Sequence, residues 1–350
     1  MPTTVTHTIK ASGGDYTSLA SWEAAQQRNL VTADEIAVAE CYGFIDNQTT
    51  STTISGWTTG INNYIEIRAH PSAKATLPIT TDGSRYLLRL TSTGTATTLN
   101  VNQSHTKVYD IQIENTRLTT NCFGVNAGTN TTYRNCVSQV TGDGNRCWFF
   151  QGVSGVRLQN CVGISNPYNV ESNRRCFQHD NASVQYDNCT AIFAGTATGF
   201  SVNSSTANAI ILRNCLSINF LGNGACYSIS GTGLTPPLAV DLVKSTNNIS
   251  SDGTAFGTNP RINQRPIFVN TVTGDFHLDW MDAVAQGYGA NLSASDTGSF
   301  SDDFDGNTRT IWHIGALGVS NAPGVVRLGN VGNSNIRLDQ TGQSNVRITE

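Results

Sequence analysis

The sequence predicts an all-β solenoid, a body of short parallel strands coiled around one core, and three observations carry that prediction. The dipeptide Asn-Cys recurs at Asn135-Cys136, Asn160-Cys161, Asn188-Cys189 and Asn214-Cys215, at spacings of 25, 28 and 26 residues. A fixed period of this length marks repeats that bury their apolar faces only by stacking on one another. A second series, Phe123, Trp148, Phe177, Phe200 and Tyr227, runs between the first at the same period. Charged residues make up 13% of the chain, about half the usual share of roughly 25%. Thr, Ser, Asn and Gly fill the stretches between apolar runs, as strands and turns require.

Residues 1–35 read as an N-terminal strand and a capping helix. An open solenoid end exposes strand edges and core, so it needs a lid. Leu19, Trp22 and Ala25 recur every third residue over a helix from about Thr17 to Arg28, with Trp22 as the plug.

Residues 36–320 read as the coiled body. The residues four and two before each Asn are apolar, as in Val156 and Leu158, Val184 and Tyr186, Ile210 and Leu212, which is the alternation of a half-buried strand. Asn tolerates left-handed backbone angles, so each Asn is expected to turn the chain into a second strand. The Cys after it, and Ser138, Gly163, Ala191 or Ser217 two further on, then continue the inward face. Asp110 before the series and Asn248 after it align as weaker members. Three strands per turn follow once the aromatic series is placed inward, where the apolar residue two places later also points: Val125, Phe150, Val202 or Ile229, with His179 in the same register. The nine cysteines are expected to be reduced thiols packed as small apolar groups, in a chain folded in a reducing compartment.

With its Asn ladder at a tight bend, the chain resembles the right-handed single-stranded parallel β-helix of the pectin-lyase-like superfamily, of the kind found in phage spike, fibre and decoration proteins. The segment GGDYTSLASWEAA resembles the opening of such proteins, and Pro266 to Gly318 resembles their closing coils.

Residues 321–350 change period. GVVRLGNVGN, SNIRLDQTGQ and SNVRITE align at ten residues, bringing Val326, Ile336 and Val346 into register with Arg327, Arg337 and Arg347 beside them. Such short strands are too small to form a core alone. They are expected either to fold back on the body or to pair with identical tails as a homotrimeric oligomerisation element.

Chemistry is less legible. Enzymes of the resembled superfamily act on polysaccharides, by calcium-assisted elimination or by paired carboxylates. The best candidates lie before the aromatic strands of two successive coils: Asp143 and Arg146, then Glu171, Arg174, Arg175, His179 and Asp180. A solvated, salt-linked edge is the favoured reading of these charges, since such pairs are ordinary on surfaces, and His179 sits where a core side chain belongs. Asp302, Asp303 and Asp305 are weak calcium candidates in an acidic Gly-containing loop, which also reads as a structural turn. His7, His70, His105, His277 and His313 show no metal-ligand spacing, and no cofactor is expected.

A net charge of −4 without a basic stripe excludes a nucleic-acid partner. No apolar run is long enough to span a bilayer, and the start has no charged-then-apolar signal. Together with the resemblance, these features lead to the expectation of a virion-surface structural or adhesion protein (capsid decoration, head fibre or tail spike), assembled in the host cytoplasm. Its partners would be other capsid or tail proteins and a host surface glycan. A tail-spike glycan depolymerase and a bacterial surface adhesin are the alternatives.

Overall fold

The structure, a computed structural model, describes residues 1–91, 96–116, 121–141, 146–165, 174–204, 210–230, 240–294 and 299–320. Met1–Ser320 form one compact unit. The tail residues Val326, Arg327, Ile336, Arg337, Val346 and Arg347 lie outside the described residues.

That unit is an all-β parallel solenoid. One coil runs Val156–Gln159, turns at Asn160, continues as Val162–Ser165 and then Arg175–Asp180, and rejoins the first direction at Val184–Asp187. Like strands of successive coils pair in parallel, giving three sheets of eight, eight and seven strands among the described residues. The first face starts at Thr3–Ile9, the second at Phe44–Gln48 and the third at Thr52–Ile54.

The corner between the first and second faces follows from Asn chemistry. Asn135, Asn160, Asn188 and Asn214 hold φ of 51, 50, 52 and 55°, and Asp110 takes the same turn at 61°. A left-handed angle costs most side chains about 1–2 kcal/mol, and Asn offsets this through its short amide. Past Asn214 the turn belongs to Asn247 at φ 53°, not to Asn248. Asn248 instead fills the place of Cys, accepting from the Cys215 amide at 2.9 Å and donating to Leu212 O at 2.9 Å.

Inside, the aromatic series forms one stack. Ring centroids from Phe123 to Trp148, Phe177, Phe200 and Tyr227 lie 3.9, 6.0, 4.7 and 5.1 Å apart, with planes within 14° of parallel. Tyr133 and Tyr186 meet the stack edge-on from the first face, so stacked and T-shaped contacts alternate. Gly199 replaces Cys in this register because a Cβ there would sit 2.0 Å from Ser217 Oγ and 2.6 Å from Cys226 O. Ile229, on the last strand of the third face, is exposed, unlike its inward counterparts Val125, Phe150 and Val202.

All nine cysteines are free and buried. Burial pushes the thiols of Cys122, Cys136, Cys147 and Cys189 well up. Neutral buried thiols react slowly. Alkylation of the native protein should label almost none of the nine, and denaturation should expose all of them; rapid native labelling of several would contradict the packing.

At the N-terminal end, helix α1 (Leu19–Gln26) starts with a Ser18/Ser21 capping box. Leu19 and Trp22 are buried, and Trp22 packs on Trp57 at 5.5 Å. The expected third plug residue, Ala25, is exposed; Glu23 is buried in its stead. The buried positions thus follow the 0, 3, 4 spacing of a helix face rather than threes alone. The Glu23 carboxylate accepts from the Ser55 amide at 2.9 Å and from Trp57 Nε1 at 2.9 and 3.0 Å, tying the lid to the first coils. Asp46 accepts from the Leu19 amide at 2.8 Å and from Tyr86 Oη at 2.9 Å.

The segment after residue 265 departs from the expected closing coils. It forms an antiparallel hairpin, Phe268–Asn270 with Asp275–Leu278, and then runs back along the outside of the second face. That face requires a cover because its outward residues are apolar too. Val137, Val162, Ile164, Ile192, Leu216 and Ile218 are buried under Phe276, Leu278, Phe304, Ile314 and Leu317.

Candidate functional site

The three outer surfaces differ in what they leave accessible. The second is covered by the return segment. The first carries ion pairs, Arg68–Glu40 at 3.1 Å, Arg213–Asp187 at 2.7 Å and Arg134–Asp302. The third presents side chains of another kind, in three outward rows set by strand register.

One row is Asn100, Gly124, Phe149, Gln178, Ser201 and Ser228. A second is Gln151, Asp180, Asn203 and Ser230, and a third is Asn121, Arg146, Arg175 and Thr198. Amides and hydroxyls dominate, and Asp180 is the only carboxylate in these rows among the described residues. Phe149 points outward because strand alternation sends Trp148 and Phe150 into the core.

Around Phe149 the polar groups are already oriented. The Arg146 guanidinium lies 4.7 Å from the Phe149 ring centroid, and its Nε donates to Gln178 Oε1. Gln178 Nε2 donates to both Asp180 oxygens, at 3.1 and 3.3 Å. Burial lowers the Arg146 pKa, Arg175 adds to that effect, and Asp180 opposes it. A ring flanked by fixed donors and acceptors suits a ligand with one apolar face and many hydroxyls.

The described residues among those singled out for catalysis divide between the third face and the core. Asp143 and Glu171 lie outside the described residues. Arg146, Arg175 and Asp180 share the third face. Arg174, expected on the solvated edge, is buried at 1% exposure. His179 is fully buried in the inward row between Phe150 and Val202, with Tyr186 Oη 3.1 Å from its Nδ1. Burial depresses its pKa to about 3. It is a neutral core residue, without access to a substrate.

The carboxylates of Asp302, Asp303 and Asp305, the weak calcium candidates, are engaged within the protein. Asp302 is paired with Arg134. Asp303 is buried and accepts from the Asp305 and Asn307 amides at 3.0 and 2.8 Å, making the loop a self-satisfied turn. Asp305 pairs with His277 Nε2 at 2.8 Å, and Asp275 with its Nδ1 at 2.5 Å. Burial opposes charge on His277, but these two carboxylates outweigh it and raise its pKa to about 9. No cluster of three or more His, Cys, Asp or Glu suited to a metal occurs among the described residues.

The Asn corner also has a role that its period did not reveal. Amide bonds pass from Asn135 to Asp110 at 3.0 Å, from Asn160 to Asn135 at 3.1 Å, and from Asn214 to Asn188 at 3.1 Å. Between Asn160 and Asn188 the return segment intervenes. Arg309 Nη2 donates to Asn160 Oδ1 at 3.2 Å, while Asn188 Nδ2 donates to His313 O at 2.8 Å and Gly315 O at 3.0 Å. Asn214 Nδ2 reaches Ala290 O at 2.9 Å. The corner is therefore a rail on which the return segment docks.

Sequence reasoning missed Phe149; the signal that could have found it is the run Trp148-Phe149-Phe150, since alternation leaves one of three consecutive aromatics outside. No family model, no curated protein and no solved structure matches this chain. The fold itself, a parallel β-solenoid, stands on the strand pairing. Among the described residues, no helix is long and apolar enough to cross a membrane.

Proposed function

We propose that this protein is a non-catalytic adhesion element whose third face binds a surface glycan, and that it works as a homotrimeric component of a bacteriophage particle. One observation carries the adhesive reading: the third face sets an outward aromatic, Phe149, among rows of amides and hydroxyls with a single described carboxylate. A sugar ring stacks its C–H face on an aromatic while its hydroxyls bond to amides. Successive members of one row, on neighbouring coils, recur about every 4.8 Å, so a chain of sugars lying across the strands meets Phe149 and polar side chains on either side of it. Affinity then arises from repeated shallow contacts. The phage setting rests on the resemblance and on the separate ten-residue repeat of the tail.

Binding to an array of bacterial surface glycans tests this reading. Phe149→Ala should weaken binding about two- to tenfold, taking roughly 0.5–1.5 kcal/mol as the worth of an aromatic contact. Ser201→Ala should weaken it less. Equal binding by wild type and Phe149→Ala, or no binding to any glycan, would remove the third face from consideration. Cleavage is the competing reading and would depend on Asp180 among the described carboxylates. Release of oligosaccharides by wild type, lost in Asp180→Asn, would establish it over adhesion.

A further inference from the structure

Exposed apolar side chains are unevenly distributed. Of the fifteen large ones among the described residues, only Met1, Val31 and Ile61 precede residue 220, and the other twelve follow it. The densest group lies on the return hairpin and the turn after it, where Ile267, Val269, Trp280 and Met281 are 48, 39, 48 and 57% exposed. They are neighbours. The Asp279 amide donates to Ile267 O at 2.8 Å and the Ile267 amide to Asp282 Oδ1 at 2.9 Å, so the turn carrying Trp280 and Met281 lies against Ile267.

The turn is built, not loose. Asp282 Oδ2 accepts from the Ala285 and Gln286 amides at 2.8 and 3.2 Å. Gln286 Nε2 donates to Asp279 O at 2.8 Å and to Trp280 O at 3.2 Å. These bonds hold the backbone so that Trp280 stands in solvent. Large apolar side chains left exposed together on an ordered element are a feature of association surfaces. Ile267, Val269 and Met281 are aliphatic side chains that offer a sugar no hydrogen bonds, which favours protein as the occupant.

The course of the chain indicates which protein. The Leu278 amide bonds to Gly318 O at 3.1 Å and the Ser320 amide to Leu278 O at 2.9 Å, so the described unit ends beside Leu278, two residues before Trp280. Thirty residues follow, 321–350, which carry the ten-residue sequence repeat. If those tails assemble with copies of themselves, each body enters the assembly by its Ser320 end. We propose that the face formed by Ile267, Val269, Trp280 and Met281 packs against a second copy of this chain. This rests on the homo-oligomeric part of the proposed function and is independent of glycan binding. Trp and Met are enriched in interface cores, and a few such anchors carry most of the affinity.

Sedimentation of the full chain across micromolar concentrations tests it. Wild type should be oligomeric. Trp280→Ser combined with Ile267→Ser should shift the assembly midpoint at least thirtyfold upward, while Val243→Ser, which removes an exposed apolar side chain elsewhere, leaves it unchanged. Unaltered thiol protection confirms that the variant is folded. A folded double variant that assembles like wild type overturns this surface and leaves the homo-oligomer standing. Wild type that stays monomeric overturns both. Glycan binding by wild type that is lost in Trp280→Ser while assembly is unchanged identifies a sugar as the occupant and overturns the interface.

Discussion

Asn188→Ala should destabilise the protein by about 4 kcal/mol, and Asn188→Gly by about 1 kcal/mol less. Asn188 is fully buried at φ 52°, where a Cβ-bearing residue without an amide is strained by about 1 kcal/mol. The remaining loss comes from three hydrogen bonds. His313 O loses its donor, Gly315 O keeps only Arg309 Nη2, and Asn214 Nδ2 keeps only Ala290 O, so one of its N–H groups is left unpaired. Leaving a buried polar group unsatisfied costs about 1–3 kcal/mol each, reduced where the neighbours relax. The Gly variant relieves the strain and keeps the unpaired groups, so the gap between the two variants isolates the backbone contribution. Urea denaturation measures both. Hydrogen exchange at Ile314 and Gly315 should rise in each variant ahead of exchange in the strands, because the amides of the return segment open first when its anchor is removed. An Ala variant within about 1 kcal/mol of wild type would show that the corner is held by stacking alone.

This double role of Asn188 shows where sequence reading succeeds and where it stops. The turn itself is local chemistry repeated at a period, so Asn135, Asn160, Asn188 and Asn214 declare it directly. The inward aromatic stack is legible for the same reason, as alternation and period together leave one placement for Phe123, Trp148, Phe177, Phe200 and Tyr227. Docking of His313 and Gly315 on Asn188 spans more than 120 residues and has no period. Its trace was indirect: Val162 and Ile164, or Leu216 and Ile218, are apolar on the outward side of strands whose inward side is already filled. Strands apolar on both faces must be covered on both. At the lid, counting by threes picked Ala25, whereas the helix buries positions 19, 22 and 23, and the buried carboxylate of Glu23 overrides its polar character because Ser55 and Trp57 supply its donors.

The candidate site was half legible. Arg146, Arg175 and Asp180 were picked out by charge and do reach the third face, but charge also picked out Arg174, which is buried, and the acids of Asp302 to Asp305, which are consumed by Arg134, His277 and the turn's own amides. Phe149 and Gln178, neutral and unremarkable in composition, organise the surface through alternation and register. In a solenoid, function sits in outward rows that read across coils, and such rows appear only after register is known.

The second large effect is acid sensitivity traced to His179. Its folded pKa is depressed to about 3 from an ordinary 6.5, because burial among apolar neighbours disfavours the cation. Between those values the unfolded chain binds a proton that the native state refuses, so stability falls as pH falls, with a slope approaching about 1.4 kcal/mol per pH unit. At pH 4.5 this contribution costs about 2–3 kcal/mol relative to pH 7. His179→Leu removes it. At pH 7 the variant should be less stable by about 1 kcal/mol, since Tyr186 Oη loses the Nδ1 that it meets at 3.1 Å. At pH 4.5 the order should reverse. The buried carboxyls of Glu23 and Asp46, whose pKa values burial raises, tilt the profile the other way, but they are common to both proteins and cancel in the difference. Urea midpoints at the two pH values decide it, and parallel profiles for wild type and variant would mean that His179 gains a proton in the native state without penalty.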